Sequence, residues 1–492
     1  MEQYQDENIN KSFRGMIKLY LGENIMNAGA VLGLLGIYGL IMIVISIFLG
    51  KRSKGFEGFI VANRNVKTLV ASFSIAATWI WAPALFVAAQ KAYQQGLVGF
   101  AWFFIPNVLC LIFFGIASVK IRNRFPNGFT LPEVMFSEYG EKAHTVYLIQ
   151  FTVLQICSFA VQLLAGAAII GSLTGTNFFL MTVILAVIAL SYSLISGMKA
   201  SVVTDFLQMG FILLVGIIAV PFVVHNAGGF PKVIQGLSGL NGTTKFFSPE
   251  GIQIMLTFGI INTVGLLAGP FGDQTCWQRT FSIKQDRVKR AFIVGGLVFG
   301  IVPLLFALLG FIGAADGITG IDPQLINIVV LQKYLPPVIV PLVIILIISG
   351  LASTLDSNLS AVASLVNVDF AKRIKGKLST SLTVSRVAMI ALAILGIGIA
   401  NIPGLKILHL FLFYGTLRAA TLLPTLITIF GKKLYGESVF WGISASLVIG
   451  LPVFVIGKLI GNWQIALLGN LMTVLLSGII SYTWSSMRRN KV

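Results

Sequence analysis

Charged residues are scarce in this 492-residue chain: Asp, Glu, Lys and Arg make up 11% of it, whereas 56% is hydrophobic. About a quarter of the residues in a soluble domain are charged, so the composition excludes an ordinary soluble protein and places the chain in lipid. The three cysteines, Cys110, Cys157 and Cys276, lack metal-site spacing, and we interpret them as small buried side chains. The sequence contains no nucleotide-binding loop, nucleophile triad, metal cluster or long polar extension. We therefore expect neither an enzyme nor an organic cofactor.

Long apolar runs dominate what is present. About 13 of them reach the roughly 20 residues that an α-helix needs to cross a hydrocarbon core. They lie near 28–50, 68–90, 97–119, 145–171, 177–196, 203–225, 251–270, 289–314, 335–365, 381–401, 405–430, 437–460 and 463–485. The sequence thus predicts an all-α integral membrane protein in which residues 28–485 form one transmembrane domain. Residues 1–27 are expected to be an extracytoplasmic segment, and residues 486–492 a cytoplasmic tail.

The formal net charge is +18, and its distribution along the chain is uneven. Of the 35 Lys and Arg residues, 25 fall in alternate loops and the C-terminal tail, 9 fall on the opposite side, and Arg418 lies within a predicted span. This is the positive-inside pattern of membrane proteins. It predicts a multi-pass cell-membrane protein with its N-terminus outside and its C-terminus in the cytoplasm. It also makes membrane lipid, not nucleic acid, the partner of the basic charge.

Spans two to six and seven to eleven form two blocks of five, at about 68–225 and 251–430. Because five is odd, the blocks have opposite orientations in the membrane, which is typical of inverted-repeat transporters. The first span of each block contains residues that interrupt helices: Pro83 in the second span, and Gly265, Gly269, Pro270 and Gly272 in the seventh. A break would free carbonyl groups to coordinate a cation. A simple kink is the alternative.

The ninth span carries an unusual polar cluster, with five polar side chains in the six residues 353–358. Polar groups at bilayer depth are costly, and they usually pack against a partner or line a path for solutes. Hydroxyls and carboxylates suit a hard cation such as sodium, which prefers oxygen ligands. The alternative is that the hydroxyls bond to carbonyls of their own helix.

Three stretches resemble the sodium/solute symporter family, which has a thirteen-span form built on a five-helix inverted repeat. They are the segment 196–208, Gln278-Arg279 followed by Lys284, and the Ser353-Thr354 pair. The resemblance runs from about residue 30 to 430. Within the family, the segments 79–85, 92–96, 125–130 and 273–279 look closest to the urea/polyamine transporter branch. Pro83 and Lys91 depart from that pattern, in which alanine and an apolar residue are expected.

The resemblance implies two cation sites. The first would use the carbonyls of Ala77, Ile80 and Gly350 with the hydroxyls of Ser353 and Thr354. This cage has no net charge, which would let sodium leave for a sodium-poor cytoplasm. A second site would use Asp205, Asp356 and Ser357, or Asp356 would carry a proton. Asp205 could instead be a helix-start aspartate, and Asp356 could form a salt bridge with a basic residue.

The candidate substrate and gate residues are Trp79, Trp81, Asp273, Gln274, Thr275, Trp277, Thr416 and Arg418. The resemblance implies substrate or gate positions at Asp273 and near Thr416, and the two tryptophans could stack on a flat amide or contact an amine. Asp273 could accept hydrogen bonds from amide or amine N–H groups, or it could pair with Arg279. Arg418 could pair with an aspartate or bind an anionic substrate group. We expect a sodium-coupled symporter that imports urea or a related amide or amine by alternating access. The alternatives are symport of proline or another small carboxylate, and a passive solute channel.

Overall fold

The computed structural model describes residues 28–50, 55–336, 338–371, 381–405, 407–431 and 433–489. Within these ranges, 11 helices are long and apolar enough to cross a membrane, or 12 if one bent pair counts as a span. The all-helical membrane fold predicted from the sequence is therefore confirmed.

The helices follow one another along the chain with short connections. In order they are α1 Ala28–Gly50, α2 Phe56–Val61, α3 Thr68–Trp79, α4 Ala82–Arg124, α5 Leu131–Tyr139, α6 Glu141–Thr174, α7 Phe178–Asn226, α8 Phe230–Gln235, α9 Pro249–Ala268, α10 Gln274–Ser282, α11 Val288–Ala315, α12 Ile326–Tyr334, α13 Val340–Phe370, α14 Leu382–Ala400, α15 Ile407–Ala419, α16 Leu422–Ile429, α17 Gly436–Leu459 and α18 Trp463–Arg489. Short 3₁₀ turns lie at Ala62–Arg64, Gln285–Arg287 and Pro323–Leu325.

The count of 11 or 12 differs from the predicted 13 because the second predicted span is not one helix. It consists of α3 and the first part of α4, which continues past Gly96 into the third predicted span. Gly96 has φ 66°, and a Cβ there would lie 2.4 Å from the carbonyl oxygen of Ser238. Only glycine fits this turn. The N–H groups of Leu97 and Val98 donate to the carbonyls of Leu237 and Thr243, so the helical hydrogen-bond pattern is interrupted there. Gly197 (φ 55°) plays the same role inside α7.

Both predicted breaks are real interruptions and not kinks. α3 ends at Trp79, Ile80 has non-helical dihedrals (φ −81°, ψ 73°) and Trp81 is extended. Pro83 lies in the first turn of α4, where its missing N–H group removes no helical hydrogen bond. The seventh predicted span breaks between α9 and α10, where the Asp273 carboxylate caps α10 by accepting from the Thr275 N–H.

Glycines at the second break let its neighbours approach closely. A Cβ on Gly265 would lie 3.1 Å from the Cα of Gly415, and one on Gly272 would lie 3.1 Å from the carbonyl oxygen of Arg418. The backbones of α9 and α15 therefore pack directly against each other. This contact places Arg418 next to the break between α9 and α10, whose last residue is Asp273.

Candidate sodium and substrate sites

The five residues of the predicted first cation site lie together at the break between α3 and α4. Ser353 Oγ donates to the Ala77 carbonyl at 2.7 Å. Thr354 Oγ1 lies 3.5 Å from the Ile80 carbonyl and 3.3 Å from the Gly350 carbonyl. All five residues are buried. The arrangement is a neutral set of carbonyl and hydroxyl oxygens, which are ligands that a hard cation accepts.

The ends of α3 and the face of α13 explain why these oxygens meet. The last carbonyls of a helix have no partner within it, so an interrupted helix presents acceptors at its end. Ser353 Oγ is 2.7 Å from the Ala77 carbonyl but 3.4 Å from the Gly350 carbonyl of its own helix. Thr354 Oγ1 likewise has its shortest bond, 3.1 Å, to the carbonyl of Thr78 on α3. Each hydroxyl therefore bonds both to a carbonyl of α3 and to the Gly350 carbonyl of its own helix, with the shorter bond crossing between helices.

The residues of the predicted second cation site, Asp205, Asp356 and Ser357, form a buried cluster beside the first. Asp356 accepts from Ser201 Oγ at 2.9 Å and from Ser357 Oγ at 3.2 Å. Asp205 Oδ2 accepts from Ser74 Oγ at 2.6 Å, whereas Asp205 Oδ1 has no hydrogen-bond partner among the described residues.

Arg279 is also part of this cluster, which the sequence reasoning did not foresee. Its Nη2 lies 2.7 Å from Asp205 Oδ2 and 2.8 Å from Ser357 Oγ. The alternative pairing of Asp273 with Arg279 is therefore wrong, and Asp205 is not merely a helix-start aspartate. Arg279 pairs directly with Asp205, and the Ser357 hydroxyl links the guanidinium to Asp356.

Asp273 pairs with Arg418 at the second break. Arg418 Nη2 lies 2.5 Å from Asp273 Oδ2, and both side chains are almost fully buried. Asp273 Oδ1 accepts from Thr275 Oγ1 at 2.9 Å and from Gln155 Nε2 at 3.1 Å. Of the two roles considered for Arg418, the pairing with an aspartate is the one observed. The pair has no net charge.

Aromatic rings surround the Arg418 guanidinium. Its central carbon lies 4.3 Å from the ring centre of Tyr414, 5.4 Å from that of Trp81 and 5.5 Å from that of Trp79. Trp81 also packs edge-on against Phe411. Both tryptophans are buried, so interfacial anchoring does not explain them.

Several polar atoms around this pair are buried without a hydrogen-bond partner among the described residues. They are Trp81 Nε1, Gln155 Oε1, Gln162 Nε2 and Arg418 Nε. Such atoms are expensive to bury unless something bonds to them. A small cavity adjoins two of these residues, Trp81 and Arg418; the rest of its lining is Ile261, Asn262, Gly265, Leu266, Phe411, Leu412 and Gly415. The region thus offers donors and acceptors to a small polar molecule.

Three other predicted substrate residues make their contacts elsewhere. Gln274 bonds to the Phe129 carbonyl and to Ser364 Oγ. Trp277 donates to the Phe271 carbonyl and lies within a cluster of phenylalanine rings. Thr416 accepts from Asn470 of α18. Asp273, Thr275, Trp79, Trp81 and Arg418 are the predicted residues that come together.

Gln155, Gln162 and Tyr414 belong to the site but were missed. Gln155 and Gln162 are seven residues apart, so they lie on one face of α6, two turns from each other. Both are amides inside an apolar span, and the cost of polar groups in a membrane could have identified them.

The sequence matches the profile of the sodium:solute symporter family over residues 59–446. The chain belongs to this family. The solved structure of a Na⁺-coupled sialic acid symporter, in an outward-open, substrate-bound state, superimposes with a TM-score of 0.74 at 15% identity, covering 92% of this chain and 97% of that one. The fold is therefore that of sodium-coupled symporters.

Two proteins of similar sequence are named as transporters of small solutes. The urea-proton symporter DUR3 of Oryza sativa subsp. japonica is 23% identical over 88% of this chain and 66% of its own length. The sodium/pantothenate symporter of Haemophilus influenzae is 25% identical, covering 88% of this chain and 90% of that protein. The chain spans between 40% and 66% of the length of the first three urea transporters that it matches. All of these relatives are named as transporters of small solutes.

Proposed function

We propose that this chain is a sodium-coupled symporter that imports urea or a related small amide or amine by alternating access. One observation carries the proposal: the break at Ile80 and Trp81 contributes to both sites. On one side its carbonyls join Ser353 and Thr354, and on the other Trp81 packs over the Asp273–Arg418 pair. An ion and a solute bound there would stabilise the same conformation of one backbone segment. Coupling is then a shared preference of both ligands for one state.

Sodium is the coupling ion that the first site fits. The Ala77, Ile80 and Gly350 carbonyls and the two hydroxyls would replace part of its hydration shell. No carboxylate is among them, so the cage attracts the ion without the strong electrostatic hold of a charged site. Such a site can release sodium on the side where sodium is scarce.

A neutral substrate fits the second break better than a carboxylate does. Asp273 already neutralises Arg418, and a substrate carboxylate would have to displace it from a bond of 2.5 Å. Urea presents N–H donors that suit Gln155 Oε1 and a carbonyl oxygen that suits Trp81 Nε1, Gln162 Nε2 or Arg418 Nε. Its flat amide also suits the faces of Trp79 and Trp81. Proline or another small carboxylate is the second candidate, supported by the buried guanidinium itself.

The cluster of Asp205, Asp356 and Ser357 is proposed as a second cation site. Arg279 compensates one of its two carboxylates. The remaining negative charge calls for a further monovalent cation, because an uncompensated buried charge is strongly destabilising. Sodium or a proton would each satisfy it.

The experiment that tests the proposal is uptake of labelled urea into proteoliposomes containing the full chain. An inward sodium gradient should drive urea above its equilibrium level, and potassium in place of sodium should not. Equilibration without accumulation would support a passive channel. No sodium-driven urea uptake, with labelled proline accumulating instead, would move the substrate to the carboxylate class.

A further inference from the structure

Three consecutive non-glycine residues before α3 have left-handed backbone conformations. Ala62, Asn63 and Arg64 have φ of 49°, 55° and 55°. Residues other than glycine seldom adopt this region, even singly. A strained backbone of this kind persists only where surrounding contacts hold it, and it often marks a part of the molecule that switches.

The Arg64 side chain makes the contacts that hold this turn. Its Nη1 donates to the Gly128 carbonyl at 2.6 Å and its Nη2 to the Asn127 carbonyl at 2.8 Å. Its guanidinium carbon lies 4.5 Å from the ring centre of Phe129. One planar side chain thus binds two successive carbonyls and stacks on the next residue, a geometry that a lysine cannot reproduce.

The segment 127–131, between α4 and α5, is bound to two further elements. Gln274 of α10 donates to the Phe129 carbonyl at 3.0 Å and accepts from the Leu131 N–H at 3.3 Å. Thr130 Oγ1 donates to Asp369 Oδ2 of α13 at 2.9 Å. The segment therefore ties together α10, α13 and the turn that carries Arg64.

α10 is the helix whose first turn Asp273 caps, and α13 carries Ser353 and Thr354. If solute and ion leave toward the predicted cytoplasmic side, where the basic loops lie, α10 and α13 have to separate from the segments that cover them on that side. Segment 127–131 is such a cover, since it is bonded to both.

We propose that Arg64 clamps segment 127–131 over the exit on the predicted cytoplasmic side, and that the left-handed turn at 62–64 stores strain that opening releases. The clamp bonds favour the closed state and the strained backbone favours the open one. Their opposition leaves the two states close in free energy, as a transport cycle requires. This proposal rests on the proposed function and on the orientation predicted from the charge pattern.

Hydrogen exchange of the purified full chain in nanodiscs tests the clamp without measuring transport. The Leu131 N–H reports on it, because its acceptor is Gln274 across the interface. In Arg64→Gln, two hydrogen bonds from a charged group are lost, and exchange of this amide should become about tenfold faster or more. In Ala62→Gly the left-handed turn is relaxed, and exchange should become about fivefold slower. The opposite signs distinguish the clamp from general loosening.

Arg124→Gln is the matched control, because Arg124 lies near the same segment but pairs with Glu138 at an exposed position. In this variant the Leu131 amide should exchange at the same rate as in the unmodified chain. Should Arg64→Gln not fold, Arg64→Lys should still accelerate exchange. Equal exchange in Arg64 variants and control, or acceleration in Ala62→Gly, would overturn the proposal. Sodium-driven uptake is measured separately to distinguish the two proposals. Uptake without these changes in exchange rate would overturn the clamp, whereas the changes in exchange rate without uptake would support the clamp and overturn the proposed transport function.

Discussion

At the scale of single residues, the two hydroxyls of α13 are the most specific part of the site. Ser353 and Thr354 each reach a carbonyl in the last turn of α3, next to the interruption. Adjacent residues on a helix point about 100° apart, so two neighbouring hydroxyls can serve one site only when acceptors lie on both sides. The break at Ile80 places acceptors there.

Replacing Thr354 by alanine removes one oxygen from the proposed cage. We expect the sodium concentration for half-maximal uptake to rise about tenfold, since a hydrogen-bonding or ligand oxygen for a charged group contributes about 1.5–3 kcal/mol. Sodium dependence of urea uptake in proteoliposomes measures this. Thr354→Ser keeps the oxygen and should stay close to the original value. An alanine variant with unchanged sodium dependence would remove Thr354 from the cage.

The Asp273–Arg418 pair allows a sharper residue-level test. Asp273→Asn leaves a buried guanidinium uncompensated, which should destabilise the protein by about 3–5 kcal/mol and abolish urea uptake. In the double variant with Arg418→Gln the buried charge is gone, so thermal stability should recover in part while uptake remains absent. Thermal unfolding and uptake are both measured. Retained uptake in either variant would mean that the pair does not contact the substrate.

The predicted residues that the structure brings together at the first break have a signal in the local sequence. The Ser353–Thr354 pair and Trp79 and Trp81 lie at a break that Pro83 signals nearby. Gln274, Trp277 and Thr416 contact other parts of the chain. The direction of a helical side chain depends on the rotation of its helix about its own axis, which packing sets and local sequence does not reveal. The Arg279–Asp205 pair joins residues 74 positions apart, which sequence spacing alone does not reveal.

At the scale of helices, interruptions and turns account for how the fold departs from a simple count of spans. Pro83 and the glycines from 265 to 272 lie at the two interruptions, which the sequence alone left open as either breaks or kinks. The joins at Gly96 and Gly197 were not foreseen, because a glycine in a loop and a glycine that turns one helix into the next look alike in sequence. The difference lies in the partner, which at Gly96 is the backbone at Ser238.

The end of α11 illustrates an element-level contact with a pH dependence. Asp316, beyond the spanning part of that helix, accepts from Lys232 of α8 and from Lys333 and Tyr334 of α12. Burial would raise the pKa of Asp316, but the hydrogen bonds from Lys333, Tyr334 and Lys232 outweigh it and hold that pKa below its ordinary value. The same contacts raise the pKa of Lys333 despite its partial burial.

Because the pKa of Asp316 is lower in the folded protein, its stabilisation is present above the ordinary aspartate range and is lost as pH falls through the lowered value. Asp316→Asn should therefore cost about 1 kcal/mol at pH 7 and speed hydrogen exchange in α12. In the unmodified chain, the amides of α12 should still exchange slowly at pH 5 once the pH dependence of intrinsic amide exchange has been corrected for. Lys245→Gln, in the neighbouring loop, serves as control. Loss of protection already at pH 5 would contradict the assignment.

At the scale of the whole molecule, composition and charge pattern predict the membrane class and the orientation but not the solute. Low charge and long apolar runs predicted the membrane class, and the order of a few motifs predicted the family. In the proposed function, the choice between urea and other solutes depends on a few side chains at the second break, and composition carries no information about them. The predicted orientation rests on charges spread over seven segments of the chain, so it is a prediction for the whole chain and not for any one site.

That orientation leads to a prediction for the intact protein in cells. Asp286, in the basic turn between α10 and α11, and Phe247, between α8 and α9, are both exposed, and the three native cysteines are buried. With basic loops retained in the cytoplasm, Asp286→Cys should react with a membrane-impermeant maleimide only in inside-out vesicles, and Phe247→Cys only in intact cells. The unmodified chain gives the background. The reverse pattern would place the N-terminal side of α1 in the cytoplasm and put the Arg64 clamp on the outer face, where it would control entry of the solute instead of its release.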